Sequence, residues 1–294
     1  MVVLATPGLT YPPAAVMTRA TTAVSNAVPP GEVVAIGLIY SMLSYWGFSK
    51  SRSTLSVVLT GIWNNFAKLA MATGALALLA LQGQPGGGRI VAALAGLGGL
   101  VAAIVVFALI LRSETFAGRA GIVAGNWASK LRRLVRRGPV QGWDLAVVKF
   151  RSQIIGLVRH RWPALTISTL TSHISLFAVL VVSLRVMGVA EEEVGWATVL
   201  TVLTVFAFAR LLTAIPLTQG GVGVVELALI AGLCRGEGDD AQAVAAALLF
   251  RMLTYVLPIL LGALTYIYWR RNRSWLDSAP ALPAELAAAA SSTG

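Results

Sequence analysis

Apolar positions dominate long stretches of the chain. Residues Ile90–Leu111 hold no charged side chain, and Trp162–Leu184 are interrupted only by His173. As helices rising 1.5 Å per residue, both runs are long enough to cross about 30 Å of hydrocarbon. Ser53–Leu81 and Ala241–Trp269 are longer still, and each carries one charge, Lys68 and Arg251 respectively. The pattern predicts four spanning helices. The cluster Gln82-Gly83-Gln84-Pro85-Gly86-Gly87-Gly88 marks a turn between the first two.

Two further regions are apolar but broken. One covers residues 14–46 and centres on Asn26-Ala27-Val28-Pro29-Pro30-Gly31-Glu32. The other covers 194–233 and centres on the stretch from Pro216 to Glu226, with Gly220, Gly221 and Gly223 inside it. Proline removes an N–H and clashes with the preceding turn, and glycine weakens a helix. Each half is about 12 to 16 residues, too short to cross alone, which suits a re-entrant hairpin. Broken backbone at membrane depth survives only inside protein or beside a watery cavity.

Composition strengthens this reading. Hydrophobic residues make up 57% of the 294 and charged residues 12%, about half the usual charged share of soluble chains. A soluble enzyme, a disordered chain and a disulfide-stapled module are excluded, the last because Cys234 is the only cysteine. Between Arg112 and Arg161 lie eleven Lys and Arg against Glu114 and Asp144, which is nine of the net eleven positive charges. Basic loops beside spanning ends stay in the cytoplasm, so 112–161 and Arg270-Arg271-Asn272-Arg273 are placed inside, as are Lys50 and Arg52. The turn near residue 85, Glu191–Glu193 and the loop 235–240 fall outside. Segment 112–161 reads as one or two amphipathic helices on the inner membrane surface, or as a flexible linker. No nucleic-acid motif accompanies its charge.

The expected fold is all-α. Residues 1–273 form one polytopic membrane bundle of four long spanning helices and two re-entrant broken-helix hairpins, and 274–294 form a disordered cytoplasmic tail. The layout repeats: half-helix, break ending in Glu, half-helix, long helix with a mid-membrane basic residue. Glu32 and Lys68 belong to the first copy, Glu226 and Arg251 to the second. The copies face opposite leaflets, and such inverted repeats are a transporter pattern. The start resembles the tail of a further span, and no signal peptide pattern is present.

Intramembrane charges are expensive and mark functional or paired sites. The candidates are Arg19, Glu32, Lys68, Arg210, Glu226 and Arg251. Glu226 is expected to pair with Arg210 or Arg251, either as a structural lock or beside a polar cavity. Gly220, Gly221 and Gly223 would expose N–H groups at a helix start, which attracts anions, with Thr218 and Gln219 as further donors. Close helix packing explains the same glycines. Asn64, Asn65 and Lys68 form a polar patch, with Asn65 and Lys68 sharing a helix face at i,i+3. Asn26 and Glu32 would line the matching half. His173 is a structural histidine or a proton relay. No metal cluster, cofactor motif or catalytic carboxylate pair is found.

Leu217–Glu226 resembles the hallmark Pro-Gly-Gly-(Ile/Leu)-Gly-x-x-Glu element of the lysylphosphatidylglycerol synthase transmembrane region, a family of bacterial integral membrane proteins. Gln219 stands here in place of its proline. Leu248–Pro258, with Arg251, Thr254-Tyr255 and Pro258, resembles the second element. Asn26–Gly31, Trp46–Ser49 and Trp63–Asn65 resemble earlier pieces, so the resemblance covers roughly residues 14–270. It implies a flippase-like bundle of the bacterial cytoplasmic membrane, without the soluble synthase domain. It also implies contact with lipids bearing anionic or aminoacylated headgroups, and adds Tyr255 to the substrate-side residues. A lipid-modifying transferase with Glu226 as base and a non-catalytic scaffold are the competing functions. Homo-oligomerisation stays open.

Overall fold

The computed structural model describes residues 1–81, 87–134, 143–189, 196–213, 219–234 and 240–271. Eleven α-helices are found among them: α1 (Val2–Ala5), α2 (Tyr11–Ala27), α3 (Gly31–Tyr45), α4 (Lys50–Leu81), α5 (Gly87–Arg112), α6 (Glu114–Leu134), α7 (Trp143–Val186), α8 (Trp196–Leu212), α9 (Val224–Leu233), α10 (Asp240–Arg251) and α11 (Leu257–Arg271). The described residues contain no strand. Four stretches are long and apolar enough to span: Lys50–Leu81, Leu94–Arg112, Phe150–Val186 and Ala241–Arg271. They coincide with the four runs read from the sequence. The fold is an all-α polytopic membrane bundle.

Both broken regions are helix–break–helix. In the first, Pro12 and Pro13 open α2, where a missing N–H costs nothing. The break falls at Val28–Pro30, and α3 resumes at Gly31. A Cβ at Gly31 would collide with the Ser25 carbonyl, so the chain folds back on itself too tightly for any side chain there. In the second, α8 is followed by a 3₁₀ turn at Gln219–Gly221 and then by α9. In each region the two helices pack on one another, α2 on α3 and α8 on α9.

The basic segment is mostly helical. α6 runs along α7, and α7 begins at Trp143, well before the apolar run, and continues through Pro163 into the span. Arg151 on α7 ties these elements together. Its Nε donates to Leu111 O, the last turn of α5, and its Nη1 pairs with Glu114 at the start of α6 at 2.9 Å.

Packing divides into groups. One core joins Leu180, Phe206, Leu229 and Phe250 from α7, α8, α9 and α10. Another joins Met17, Ala20, Met42 and Trp46 from α2, the end of α3 and the residue after it, with Tyr266 and Trp269 of α11 against them. A third wraps Leu55, Leu59 and Trp63 of α4 with Ile154 and Leu165 of α7. The last helical stretch therefore serves both broken regions: α10 packs on α9, and α11 packs most closely on α2. Gly262 permits that approach, since a Cβ there would meet the Arg19 carbonyl. α5 turns Leu94, Leu97, Val101, Ile104 and Val105 outward, as a lipid-facing helix would.

The turn at 82–86, Glu191–Glu193, Pro216–Thr218, the loop 235–239 and the tail 274–294 lie outside the described residues.

Candidate functional site

Between α10 and α11 the helix is not regular. Met252–Val256 form a π-helical turn, closed by Leu257 N–H on Met252 O. Pro258 supplies the reason. It has no N–H for the Thr254 carbonyl, and its ring clashes with the carbonyl four residues back, so the local register widens. Arg251 stands at the start of this turn and Tyr255 within it.

The two breaks meet at that turn. Tyr255 donates its hydroxyl to Asn26 O at 2.6 Å, and Asn26 Nδ2 donates back to Tyr255 O at 3.4 Å. Arg251 reaches the other break: Nε donates to Glu226 Oε1 at 2.6 Å and Nη2 to Gly220 O at 3.3 Å. Its Cζ also lies 4.5 Å from the Tyr255 ring centroid, within cation–π range. Residues from α2, the 3₁₀ turn, α9 and the π turn thus form one connected polar hub.

Gly220 makes the close approach possible. Its φ is 56°, a left-handed value, and a Cβ would overlap the Tyr255 ring. Gly221, at φ 73°, faces Val225 and Thr213. Gly223, at φ 81°, caps α9 with open space around it. Glu226 lies in the first turn of α9, where a negative charge is favoured by the helix dipole. The ion pair is partly shielded, with side-chain exposures of 12% for Arg251 and 21% for Glu226. Glu226 Oε2 is buried and has no hydrogen-bond partner among the described residues.

A second group adjoins the hub. Lys68 of α4 is buried, 6% exposed, and feels the charges of Arg210 on α8 and Glu32 on α3. Arg210 in turn lies in the field of Arg251. His173 of α7 is buried in the field of Arg210 and Lys68, and its Nε2 contacts Asn64 Oδ1 at 3.1 Å. Glu32 is exposed.

Most of the sequence-derived site residues therefore converge. Asn26, Gly220, Glu226, Arg251 and Tyr255 touch directly; Lys68, Arg210 and Glu32 join through charge, and Asn64 through His173. Asn65 does not join them. It is exposed, and its amide turns back to Gly61 O on its own helix. Gln219 contributes backbone to the 3₁₀ turn, and its side chain is outside the described residues. Arg19 is exposed on α2. No group of His, Cys, Asp and Glu among the described residues has the makings of a metal site.

The family model of the lysylphosphatidylglycerol synthase transmembrane region matches residues 3–262, most of the chain and all of this hub. The chain belongs to that family. It is a multi-pass membrane protein of the lysylphosphatidylglycerol synthase transmembrane-region type, and both breaks and the π turn lie within the matched residues. The UPF0104 membrane protein MJ1078 of Methanocaldococcus jannaschii is 45% identical over 64 residues, which cover 22% of this chain and 27% of that protein. The match thus spans about a quarter of that relative's length. No solved structure matches the chain.

Proposed function

We propose that the chain moves lipid headgroups across the bilayer. In this reading residues 11–45 and 196–233 are re-entrant hairpins that dip in from opposite faces, an inverted repeat whose tips meet at mid-depth. The basic segment 112–161 and the end of α11 lie on the cytoplasmic side, by the bias of basic residues. The observation that supports the reading is the double attachment of one π turn, through Tyr255 to the first break and through Arg251 to the second. In transporters of this pattern one repeat rocks against the other around a shared site, and this turn is a point that both interrupted segments hold. The family takes its name from a synthase of a phospholipid, which supports a lipid as the substrate class.

The test is reconstitution into vesicles containing headgroup-labelled lipids, with a membrane-impermeant quencher reading transfer between leaflets. The protein accelerates transfer, and Arg251→Gln with Tyr255→Phe slows it without loss of folded yield. Equal loss of transfer and of folded yield overturns the functional role of the hub. Topology is tested separately with Pro30→Cys and Val222→Cys in a Cys234→Ser background. Ordinary aqueous labelling of both positions overturns the re-entrant hairpins.

A second reading, a lipid-modifying transferase with Glu226 as base, draws on the free Oε2 of that carboxylate. It predicts a change in lipid mass after incubation, whereas transport leaves the lipid unchanged.

A further inference from the structure

We propose that Lys68 and Arg210 form an anion site for a phosphate group. The inference rests on the transport reading only for its biological meaning; the site itself is argued from charge and burial.

Lys68 lies near the middle of α4, with about 20 Å or more of helix on either side at 1.5 Å per residue. Only 6% of it is exposed. Arg210 sits in the last turn of α8. The two helices pack through Ala72 and Ala75 against Ala207. Lys68 is one turn before Ala72 and Arg210 one turn after Ala207, and the charge of Arg210 bears on Lys68.

Among the described residues neither cation forms an ion pair with a carboxylate. The only ion pairs among those residues are Arg151–Glu114 and Arg251–Glu226. Glu226 is taken by Arg251 at 2.6 Å, and Glu32 is exposed and forms no ion pair. Arg210 Nε is buried with no hydrogen-bond partner among the described residues. Of the surrounding charges, Glu32 acts favourably on Lys68 from an exposed position and Arg251 adds a positive charge already paired with Glu226, while His173 engages Asn64 through Nε2 and its Nδ1 has no partner among the described residues. Two like charges held together in a poorly solvated interior are costly unless an anion joins them.

The geometry of the donors selects the anion. A guanidinium offers a planar fork and an ammonium a mobile point charge. A phosphate has non-bridging oxygens enough to accept from both at once through charge-assisted bonds. A phosphodiester in a lipid headgroup and free inorganic phosphate share this chemistry.

The experiment uses the whole purified chain in detergent, with retained ligand read by native mass spectrometry. Probes are phosphatidylglycerol, diacylglycerol with the same acyl chains, and inorganic phosphate. The site predicts at least about tenfold preference for phosphatidylglycerol over diacylglycerol, the value of one charge-assisted pair. Competition by millimolar inorganic phosphate assigns the free ion as ligand; its absence assigns the lipid. Lys68→Met with Arg210→Met abolishes the preference, and Lys68→Arg retains it. Equal retention of the two lipids by the wild-type chain, together with no bound inorganic phosphate, overturns the site and needs no variant. An unchanged preference in the folded double variant overturns it as well. Phosphate-dependent binding without translocation removes the transport reading and leaves the site standing. Translocation indifferent to the phosphate does the reverse.

Discussion

Tyr255 donates its hydroxyl to the backbone carbonyl of Asn26, 229 residues away in sequence, at 2.6 Å. The bond joins the widened turn of the last span to the break of the first interrupted segment. Tyr255→Phe removes the hydroxyl and keeps the ring beside Arg251. The expected cost is about 0.5–1.5 kcal/mol, read as a lower thermal midpoint in detergent. Tyr255→Ala costs more, because the cation–π contact goes too.

Arg251 and Glu226 should couple energetically. Arg251→Met leaves a partly shielded carboxylate without its partner, and Glu226→Gln leaves the guanidinium without its counter-charge. Each single change is expected to destabilise by about 1–3 kcal/mol. The double variant is expected to cost less than the sum. A double-mutant cycle on unfolding midpoints checks this; strict additivity would refute a direct interaction.

The glycines divide sharply. Gly220→Ala places a Cβ into the Tyr255 ring at a left-handed φ, and Gly262→Ala drives α11 from the Arg19 carbonyl on α2. Either is expected to cost about 1–3 kcal/mol. Gly98→Ala and Gly99→Ala in α5 meet nothing within 4 Å. They should be neutral or stabilising by up to about 1 kcal/mol. Folded yield after heating ranks the four.

Arg151 is expected to matter through its backbone acceptors more than through its ion pair. Glu114 is 71% exposed, so Glu114→Gln should change stability by less than about 1 kcal/mol and respond weakly to salt. Arg151→Gln also frees the Leu111 and Arg112 carbonyls. It should raise protease sensitivity around residue 113, which limited proteolysis measures.

The four spans were legible because apolar runs of that length with at most one charge have few other uses. The breaks were legible because Pro29-Pro30-Gly31 and the glycines at 220, 221 and 223 are residues a helix cannot easily absorb. Gly138-Pro139 and Gly142 stand just before the start of α7, but its unbroken run into the span was hidden, since Lys149, Arg151, Arg159 and Arg161 separate that start from the apolar stretch at Trp162. Asn65 and Lys68 seemed to share a face, yet positions three apart are turned about 60° from each other. On α4 the edge between buried and exposed surface passes between them. The π turn left one trace in the sequence, Pro258, and that residue alone does not separate a widened turn from a simple kink. The Tyr255–Asn26 bond depends on how remote helices pack, which no local pattern encodes.

The widened turn also changes how force travels. A regular helix from Ala241 to Arg271 would behave as a single stiff rod. Here the ladder of backbone bonds changes pitch at Met252–Val256, so the upper and lower portions are joined by a compliant coupling. α9 and α2 are thus linked to each other by side chains seated on that coupling, and not by a single shaft.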